Sequence, residues 1–315
     1  MSEGIDAEFV RNGRFRGALK PQHYDYMQRQ LETLQNAYGV KGSMVPQKDQ
    51  ASETGSNRFY GGVVYDTDGG LHPAKYLDGL SERAENAGAV VISQTPVQKI
   101  GRISAGYQIT TPKGVTLADN IAICTNAYTT HSFAGLRQRI LPLRSTMIAT
   151  GPIDASLMDR LMPKKRVYGD SRRMVAYYRP SPDGTRILFD GRATGFREDA
   201  NKNATQLRAS MIEIYPELRD VPIDNVWSGL VAYTFDHAPH IGQRDGLYYA
   251  MGCCGSGVAR ASYFGNKLGQ KILGNAEGRT AFDDLSFDSK PFYNGNPWFM
   301  PAILNWHRIA DRWGL

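Results

Sequence analysis

Near its C-terminal end, the sequence passes from an apolar strand pattern, through three glycines, into a helical pattern. The stretch is Gly246-Leu-Tyr-Tyr-Ala-Met-Gly-Cys-Cys-Gly-Ser-Gly-Val258. Glycines allow a flat group to approach the main chain closely. The first turn of a helix directs free N–H groups and the positive end of its dipole toward one point. The segment therefore predicts a strand–loop–helix unit that cradles an electron-rich or anionic cofactor.

The size and charge of the chain limit the possible classes of protein. With 315 residues and a mass of 35.0 kDa, two domains are more plausible than one. Hydrophobic residues make up 41% and charged residues 22%, as in an ordinary globular protein. The net charge of +6 is spread along the sequence, and its densest runs, Lys164-Lys-Arg166 and Arg172-Arg173, are short. We therefore expect a basic surface and no nucleic-acid partner.

The cysteines and histidines indicate neither disulfides nor a metal site. Cys253 and Cys254 are adjacent, and neighbouring cysteines pair only with strain, so we interpret them as small packing residues. His237 and His240 flank a proline that prevents a helix from aligning them, which favours a structural turn carrying Asp236. The sequence has no membrane-length apolar run and no leader pattern. We therefore expect no metal, no membrane span and a cytoplasmic location, while the oligomeric state stays open.

Residues 67–131 and 237–315 carry an α/β pattern. A helix is predicted from Pro73 to Gly88, followed by a short strand at residues 89–93. The buried face of this helix is expected to carry Leu77, Leu80, Ala84 and Ala87. Residues 120–125 form an apolar run that is typical of a strand buried on both faces. Together these patterns predict part of a nucleotide-binding sheet.

Residues 1–66 and 132–236 have a different pattern. Alternating strands are joined by turns rich in glycine, proline and aspartate, with helices predicted from about Pro21 and around residues 201–215. This pattern predicts an antiparallel sheet covered by helices. The expected fold class is therefore α/β plus antiparallel β-sheet, in which an α+β substrate domain is inserted into a Rossmann-like nucleotide-binding domain.

A series of short motifs follows a fixed order along the chain. The motifs are Gly69-Gly-Leu-His-Pro73, Ile121-Ala-Ile-Cys-Thr-Asn-Ala-Tyr128, Tyr177-Tyr-Arg179, Trp227-Ser-Gly229, Thr234-Phe-Asp236 and Pro239-His-Ile-Gly242. With residues 4–13 and 297–312, they resemble the D-amino-acid oxidase-like family of FAD-dependent oxidoreductases. The resemblance is closest to the γ-glutamylputrescine oxidase branch of that family. Each motif is weak alone, and their order over nearly the whole chain carries the resemblance.

The family's strand–Gly-x-Gly-x-x-Gly–helix unit, which holds the FAD pyrophosphate, does not occur in this sequence. Residues 1–6 match an interior point of the family, so we expect the chain to correspond to the C-terminal three-quarters of an oxidase. The resemblance thus implies an incomplete FAD-binding domain. The alternative is a truncated, flavin-free remnant without catalysis. A single-domain NAD(P) enzyme is disfavoured because it would need the same glycine motif.

The resemblance implies cofactor contacts in three segments. The glycine loop faces the flavin ring near N1 and the C2 carbonyl, Val97 meets the adenine, and residues 125–127 form a second nucleotide turn. The implied cofactor-binding residues are Val97, Thr125, Asn126, Ala127, Gly252, Gly255, Ser256, Gly257 and Val258. The alternatives are a purely structural turn for the loop and a core position for Val97. Residues 230–234 contain no cysteine for a covalent flavin bond, so we expect FAD to be held non-covalently.

The resemblance also implies a pocket for a small amine or amino acid whose C–N bond is oxidised to an imine. Candidate pocket residues are Tyr178, Arg179 and Arg144, together with Tyr177 and Arg192. An arginine fork suits a carboxylate-bearing tail such as a γ-glutamyl group, although strand tyrosines often pack in cores. Ala259 stands where sarcosine oxidase-like relatives have a carboxylate-binding lysine, which favours an amine or an amino acid held in another way. The sequence leaves the electron acceptor open.

Overall fold

The structure, a computed structural model, describes residues 3–192 and 199–313 and divides into two compact units. Unit 1 comprises Met1–Gly88, Ser145–Gly229 and Phe299–Leu315, and unit 2 comprises Ala89–Arg144 and Leu230–Trp298. These bounds differ from the expected domain division. Residues 67–88 and the last helix belong to unit 1, whereas residues 132–144 belong to unit 2.

The regular elements alternate along the whole chain. In order they are β1 (Arg14–Gly17), α1 (Pro21–Tyr38), β2 (Gly42–Val45), β3 (Gly62–Tyr65), α2 (Pro73–Asn86), β4 (Lys99–Arg102), β5 (Tyr107–Thr111), β6 (Gly114–Ala118), β7 (Ala122–Ile123), α3 (Ala134–Arg137), β8 (Ile140–Thr150), α4 (Ala155–Leu161), β9 (Val167–Asp170), β10 (Tyr177–Pro180), β11 (Ile187–Arg192), α5 (Ala200–Ile214), β12 (Ile223–Thr234), β13 (His240–Arg244), β14 (Leu247–Met251), α6 (Gly257–Ile272) and α7 (Met300–Trp313). None of the helices within residues 3–192 and 199–313 is both long and apolar enough to cross a bilayer.

The large sheet has eight strands in the order β12-β8-β11-β10-β9-β1-β3-β2. Strand β1 pairs antiparallel with β3 and parallel with β9, while β10 pairs antiparallel with both β9 and β11. The predicted antiparallel sheet is therefore confirmed, with one parallel pair inside it. The helices predicted at Pro21 and around residues 201–215 are present as α1 and α5.

Side chains of β10 alternate between the two faces of this sheet, as strand geometry requires. Tyr178 lies between Tyr168 and Phe189 on its neighbouring strands, and its ring stacks on each with centroids 5.4 Å apart. Tyr215, at the end of α5, meets Tyr178 edge-on. Tyr178 is 2% exposed, whereas Tyr177 is 46% exposed on the opposite face. The α5 face of the sheet is thus an aromatic core, and the Tyr177 face is open at β10.

Helix α1 covers the other end of the open face. Its Met27 and Leu31 side chains pack against Val63 and Tyr65 of β3. The helix begins with a proline, whose missing N–H costs nothing in a first turn. It ends at Gly39, whose left-handed conformation (φ 65°) lets its N–H bond back to the last turn.

Unit 2 contains two three-stranded sheets, β13-β14-β7 and β4-β5-β6. In the first, β14 pairs antiparallel with β13 and parallel with β7. Helix α6 packs on this sheet through Phe264 and Leu268, which contact Ile241. The chain thus passes from strand β14 through the glycine loop into helix α6, as the glycine-loop pattern predicts. Of the apolar run at residues 120–125, only Ala122–Ile123 forms a strand.

Two predictions for residues 73–93 are wrong. Helix α2 forms, but it has no buried residue, and Leu77 of the expected buried stripe is 63% exposed. Residues 89–93 form no strand, and the Val90, Val91 and Ile92 side chains are exposed. A strand needs a hydrogen-bonding neighbour and an apolar stripe needs a covering surface. In the described part of unit 2, no strand pairs with residues 89–93 or with the second edge of β7.

The turn between β12 and β13 is held by the Asp236 carboxylate. This group accepts the Ala238 N–H at 3.1 Å and contacts His240 Nε2 at 3.1 Å. The His240 ring is buried and stacks on Phe287 with centroids 4.2 Å apart. Burial raises the pKa of Asp236, but the hydrogen bonds from Ala238, His240 and Thr234 outweigh it and hold the pKa below its ordinary value. These contacts give the turn a structural role.

Tyr178→Ala is expected to lower the free energy of unfolding by about 3–5 kcal/mol, as other large truncations in cores do, because the ring is stacked on both sides. Tyr177→Ala, on the adjacent residue but on the open face, should lower it by less than about 1 kcal/mol. Urea unfolding of both variants measures the difference. Equal losses would show that the two side chains do not lie on different faces.

Asp236→Asn is expected to lower the free energy of unfolding at neutral pH by about 1 kcal/mol. This is below the usual range for charged hydrogen bonds because the carboxylate is 45% exposed. A depressed pKa contributes stability above the unfolded-state pKa and loses it as pH falls through the folded-state value. The variant and the parent should therefore converge as the pH falls below the ordinary pKa of an aspartate and through the lowered folded-state pKa of Asp236. Urea unfolding across this pH range tests this, with Asp25→Asn on the exposed side of α1 as the control.

Candidate functional site

The glycine loop between β14 and α6 is shaped by left-handed backbone conformations. Gly252 and Gly255 have φ values of 77° and 87°, and Cys254 between them has 49°, which is uncommon for a residue with a side chain. A Cβ at Gly252 would collide with the Thr234 methyl group, and one at Gly255 would lie 3.0 Å from the Tyr233 hydroxyl. The fold itself therefore requires these two glycines.

Gly257 differs from the other two glycines because a side chain there would fit. Its φ is not positive, and a Cβ would make only an ordinary 3.9 Å contact with Cys253. Its position at the first residue of α6 leaves the space before the helix open. The absence of a side chain at Gly257 thus has no reason within the described fold, whereas a ligand lying on this backbone would supply one.

The N-terminal end of α6 carries free backbone donors. Ser256 makes no side-chain capping bond, and the first helical bond runs from the Arg260 N–H to the Ser256 carbonyl at 3.3 Å. The N–H groups of Gly257, Val258 and the next residue therefore precede the hydrogen-bonded ladder of the helix. Together with the helix dipole, they favour a negatively charged or electron-rich group at this point.

The second predicted nucleotide segment lies beside the loop. Strands β7 and β14 are parallel neighbours, so the turns that follow them lie at the same edge of the sheet. The Gly252 N–H donates to the Asn126 side-chain oxygen at 3.0 Å. Asn126 itself has a φ of 47° and is fixed by Thr129, whose hydroxyl donates to its carbonyl at 2.7 Å. The hydrogen bond between Gly252 and Asn126 thus joins the two turns at the sheet edge.

The remaining predicted cofactor residues contribute in different ways. Thr125 bonds its hydroxyl to that of Thr129 at 2.8 Å, and the Ala127 side chain is buried in the unit 2 core, which leaves only its backbone for a ligand. Val97 is 40% exposed and lines a separate cavity of about 340 Å³ in unit 2. None of the loop residues or of residues 125–127 lines that cavity. The structure therefore joins the loop to the Asn126 turn, while Val97, which the resemblance assigns to the adenine, lies at a cavity that neither of them lines.

The predicted substrate residues in unit 1 divide between the two sheet faces. Tyr178 is part of the aromatic core, so a molecule on the open face has no access to its ring. Arg179 lies on the open face with Tyr177, and burial lowers the pKa of its guanidinium, an effect that Glu8 partly offsets. Arg144 is a half-buried residue at the end of the first segment of unit 2. The side chain of Arg192 lies outside the described residues.

One residue on the open face is absent from the sequence-based candidates. Asp190 of β11 lies directly opposite Tyr177 in the strand register and accepts the Ser145 hydroxyl at 2.8 Å. The signal that identifies it is the pairing of β10 with β11, which places Asp190 and Tyr177 on the same face. The open face therefore carries a guanidinium, a phenol and a carboxylate.

The Cys253 thiol of the loop is not activated. Burial raises the pKa of the Cys253 thiol, so the sulfur is protonated near neutral pH and is a poor nucleophile. Cys253 and Cys254 are both free, and no group of three metal-binding side chains occurs within residues 3–192 and 199–313. The loop offers its backbone to a ligand, while its sulfurs serve for packing.

Comparison with known proteins gives matches over most of the chain. A probable oxidoreductase OrdL of Rhizobium meliloti is 29% identical, over 98% of this chain and 72% of its own length. The gamma-glutamylputrescine oxidoreductase of Escherichia coli is 24% identical, over 99% of this chain and 73% of its own length. The crystal structure of glycine oxidase from Geobacillus kaustophilus superposes with a TM-score of 0.77 at 20% identity, over 91% of this chain and 77% of that one.

The fold and the family agree. The structure of L-proline dehydrogenase from P. horikoshii also superposes, with a TM-score of 0.75 at 19% identity over 95% of this chain and 79% of that one. The chain thus spans about three quarters of the length of these relatives. Residues 1–270 match the family model described as FAD dependent oxidoreductase, DAO. Because the match covers most of its length, the chain belongs to the DAO family of FAD-dependent oxidoreductases.

Proposed function

We propose that this chain provides the flavin-ring part of an FAD site and oxidises the C–N bond of a small amine that carries a carboxylate tail. The observation that supports this most is the N-terminal end of α6. It has no side-chain cap, and it begins at Gly257, where a side chain would fit but none is present. When bound, FAD supplies the hydride-accepting chemistry that converts an amine to an imine. The residues of the chain bind the flavin ring, orient the substrate and stabilise the charge that develops on the ring.

The loop is suited to hold the edge of the ring that gains negative charge during the reaction. The N–H groups of Gly257 and Val258 are fixed before any ligand arrives, so they stabilise developing charge without reorganising, while the Ser256 N–H donates to the Cys253 carbonyl within the loop. Asn126 keeps the loop in position through its bond to Gly252. The protonated, buried Cys253 and the lack of a cysteine at residues 230–234 support non-covalent binding.

Recognition of the substrate is proposed for the open face of unit 1. Arg179 can hold a carboxylate through two parallel hydrogen bonds, and Asp190 can hold a substrate ammonium group. We assign the tyrosine contact with the substrate to Tyr177 and no longer to Tyr178, because Tyr177 lies on the open face beside these two charges. A face with both signs of charge fits an ω-amino compound such as the γ-glutamyl amine after which the Escherichia coli relative is named. Arg144, which belongs to unit 2, remains a separate candidate for a substrate contact.

The second candidate function is a protein that does not bind flavin. It is favoured by residues 90–92, where three successive apolar side chains are exposed. A chain with a ring cradle alone should bind riboflavin, FMN and FAD with similar affinity. Titration of the purified chain with each flavin, followed by the shift of the absorbance bands near roughly 375 and 450 nm, distinguishes the two. Absence of binding to all three would refute the oxidoreductase proposal for this chain.

Gly257→Leu is expected to weaken flavin binding by about 10-fold or more, because a bulky side chain would occupy the space in front of the free N–H groups. The control is Gly265→Leu, two turns further along α6, where a Cβ would have no neighbour within 4 Å. Both variants gain helix propensity and should unfold at or above the parent's temperature. Flavin titration measures the difference, and equal affinities for the two variants would exclude the ring from this position.

Arg179→Met is expected to raise KM for an amine with a carboxylate tail by about 10- to 100-fold, the value of a charged hydrogen-bond pair. KM for a diamine without that tail should change little, whereas Asp190→Asn should raise KM for both. Steady-state oxidation of γ-glutamylputrescine and putrescine by the flavin-loaded protein measures these ratios. Arg29→Met, on the exposed side of α1, is the control. An equal rise for both substrates with Arg179→Met would argue against carboxylate recognition.

A further inference from the structure

Unit 1 contains a cavity of about 1110 Å³ that has no part in the proposed flavin or amine sites. It lies among the start of α1, the loop after β9, helix α5 and the end of α7. Neither the loop residues nor Arg144, Tyr177, Tyr178, Arg179 or Asp190 line it. Its size is that of a pocket for a small organic molecule. The cavity therefore has room for a ligand of its own.

The walls of this cavity carry an excess of positive charge. Five cationic side chains line it, against two carboxylates, Glu213 and Asp311. The cationic residues are Arg16, Lys20, Arg58, Arg172 and Arg173. Clustered cations in a partly enclosed space attract an anionic ligand, because the low-dielectric walls reduce screening of their field.

Both carboxylates of the cavity are already engaged by the protein. Glu213 lies 3.6 Å from the guanidinium of Arg172, which also holds the buried Asp170. Asp311 accepts the N–H groups of Arg173 and Met174 at 2.9 and 3.0 Å. Each acidic group thus has a donor in its own wall. Glu213 is thus paired with a guanidinium, and with Asp311 also counted the five cations still leave a net positive charge at the cavity.

Lys20 and Arg58 are the cations that remain for a ligand. Within residues 3–192 and 199–313, neither side chain forms a hydrogen bond or an ion pair. Both come from chain segments at the same end of the large sheet, since Ala18 and Tyr60 are hydrogen-bonded there. Two unpaired cations at one cavity wall are a suitable receptor for a single anionic group.

A half-buried hydrogen-bonding pair, His23 and Ser171, completes this wall. His23 Nδ1 lies 2.5 Å from the Ser171 hydroxyl, which also accepts the Leu19 N–H at 3.0 Å. Burial and the neighbouring Lys20 charge lower the pKa of His23, so its ring is neutral near pH 7. The direction of the hydrogen bond between Nδ1 and the Ser171 hydroxyl depends on the tautomer of the ring. The wall thus adds an uncharged imidazole to its cations.

The rest of the lining is largely apolar. Met27, Phe189, Leu207 and Ile214 contribute hydrocarbon or aromatic surface, and Asn203 and Ser210 of α5 add polar groups. We propose that this cavity binds an organic anion, whose carboxylate or phosphate group is held by Lys20 and Arg58 and whose apolar body packs against Met27, Phe189 and Leu207. This site is additional to the proposed oxidation of amines and requires no flavin.

Isothermal titration of the purified chain with phenyl phosphate, phenylacetate and phenethylamine tests the proposal. The two anions are expected to bind with a stoichiometry of one, more weakly at high salt, while phenethylamine, with a similar body and the opposite charge, should not bind. The tighter of the two anions identifies the head group as phosphate or carboxylate. Binding of phenethylamine as tight as that of the anions would overturn the proposal, and so would the absence of anion binding.

Two double variants and one cavity-filling variant locate the site. Lys20→Gln combined with Arg58→Gln should weaken anion binding by about 10-fold or more, whereas Lys41→Gln with Lys48→Gln removes the same charge from exposed positions and should not. Ser210→Trp should block the cavity by filling it. Equal losses in the two charge variants would assign the effect to net charge and overturn the proposal. Flavin titration of the same variants should be unchanged, so failure here is separable from failure of the oxidoreductase proposal.

Discussion

The hydrogen bond from the Gly252 N–H to the Asn126 side chain connects two turns that are far apart in sequence. It forms because β7 and β14 run parallel and end at the same edge of their sheet. With this bond in place, the glycine loop has a fixed exit direction into α6, and the first N–H groups of that helix point at one place. Everything proposed for the flavin ring depends on this arrangement, since donors that are already oriented lose little entropy when a ligand arrives.

The two faces of the large sheet separate the aromatic core from the proposed substrate site. One face carries stacked aromatic rings beneath α5, where any change of volume is costly. The opposite face of the same strands carries Tyr177, Arg179 and Asp190, whose side chains can be replaced without changing the packing of the core. Neighbouring residues of one strand thus lie in different surroundings, one in the core and one on the open face.

How much of this follows from sequence depends on the distance over which each signal acts. The glycine loop and the helix starts at Pro21 and Pro73 were predictable because glycine, proline and helical periodicity act locally. The choice between Tyr177 and Tyr178 was not, since the face depends on pairing with Tyr168 and Phe189. The amphipathic pattern of α2 identified an apolar stripe, but a pattern cannot specify whether another element covers it. The Asn126 contact and the cationic cavity were beyond sequence reasoning because each joins distant segments.

The exposed segment at Val90, Val91 and Ile92 also affects how the protein behaves in concentrated solution. These three side chains follow one another and are 82%, 60% and 59% exposed. In the described part of the same unit, the outer edge of β7 has unpaired backbone groups. A bare strand edge and an apolar segment in one unit favour pairing with strands of other molecules. Residues 90–92 and the edge of β7 are therefore the places where we expect self-association of this chain to begin.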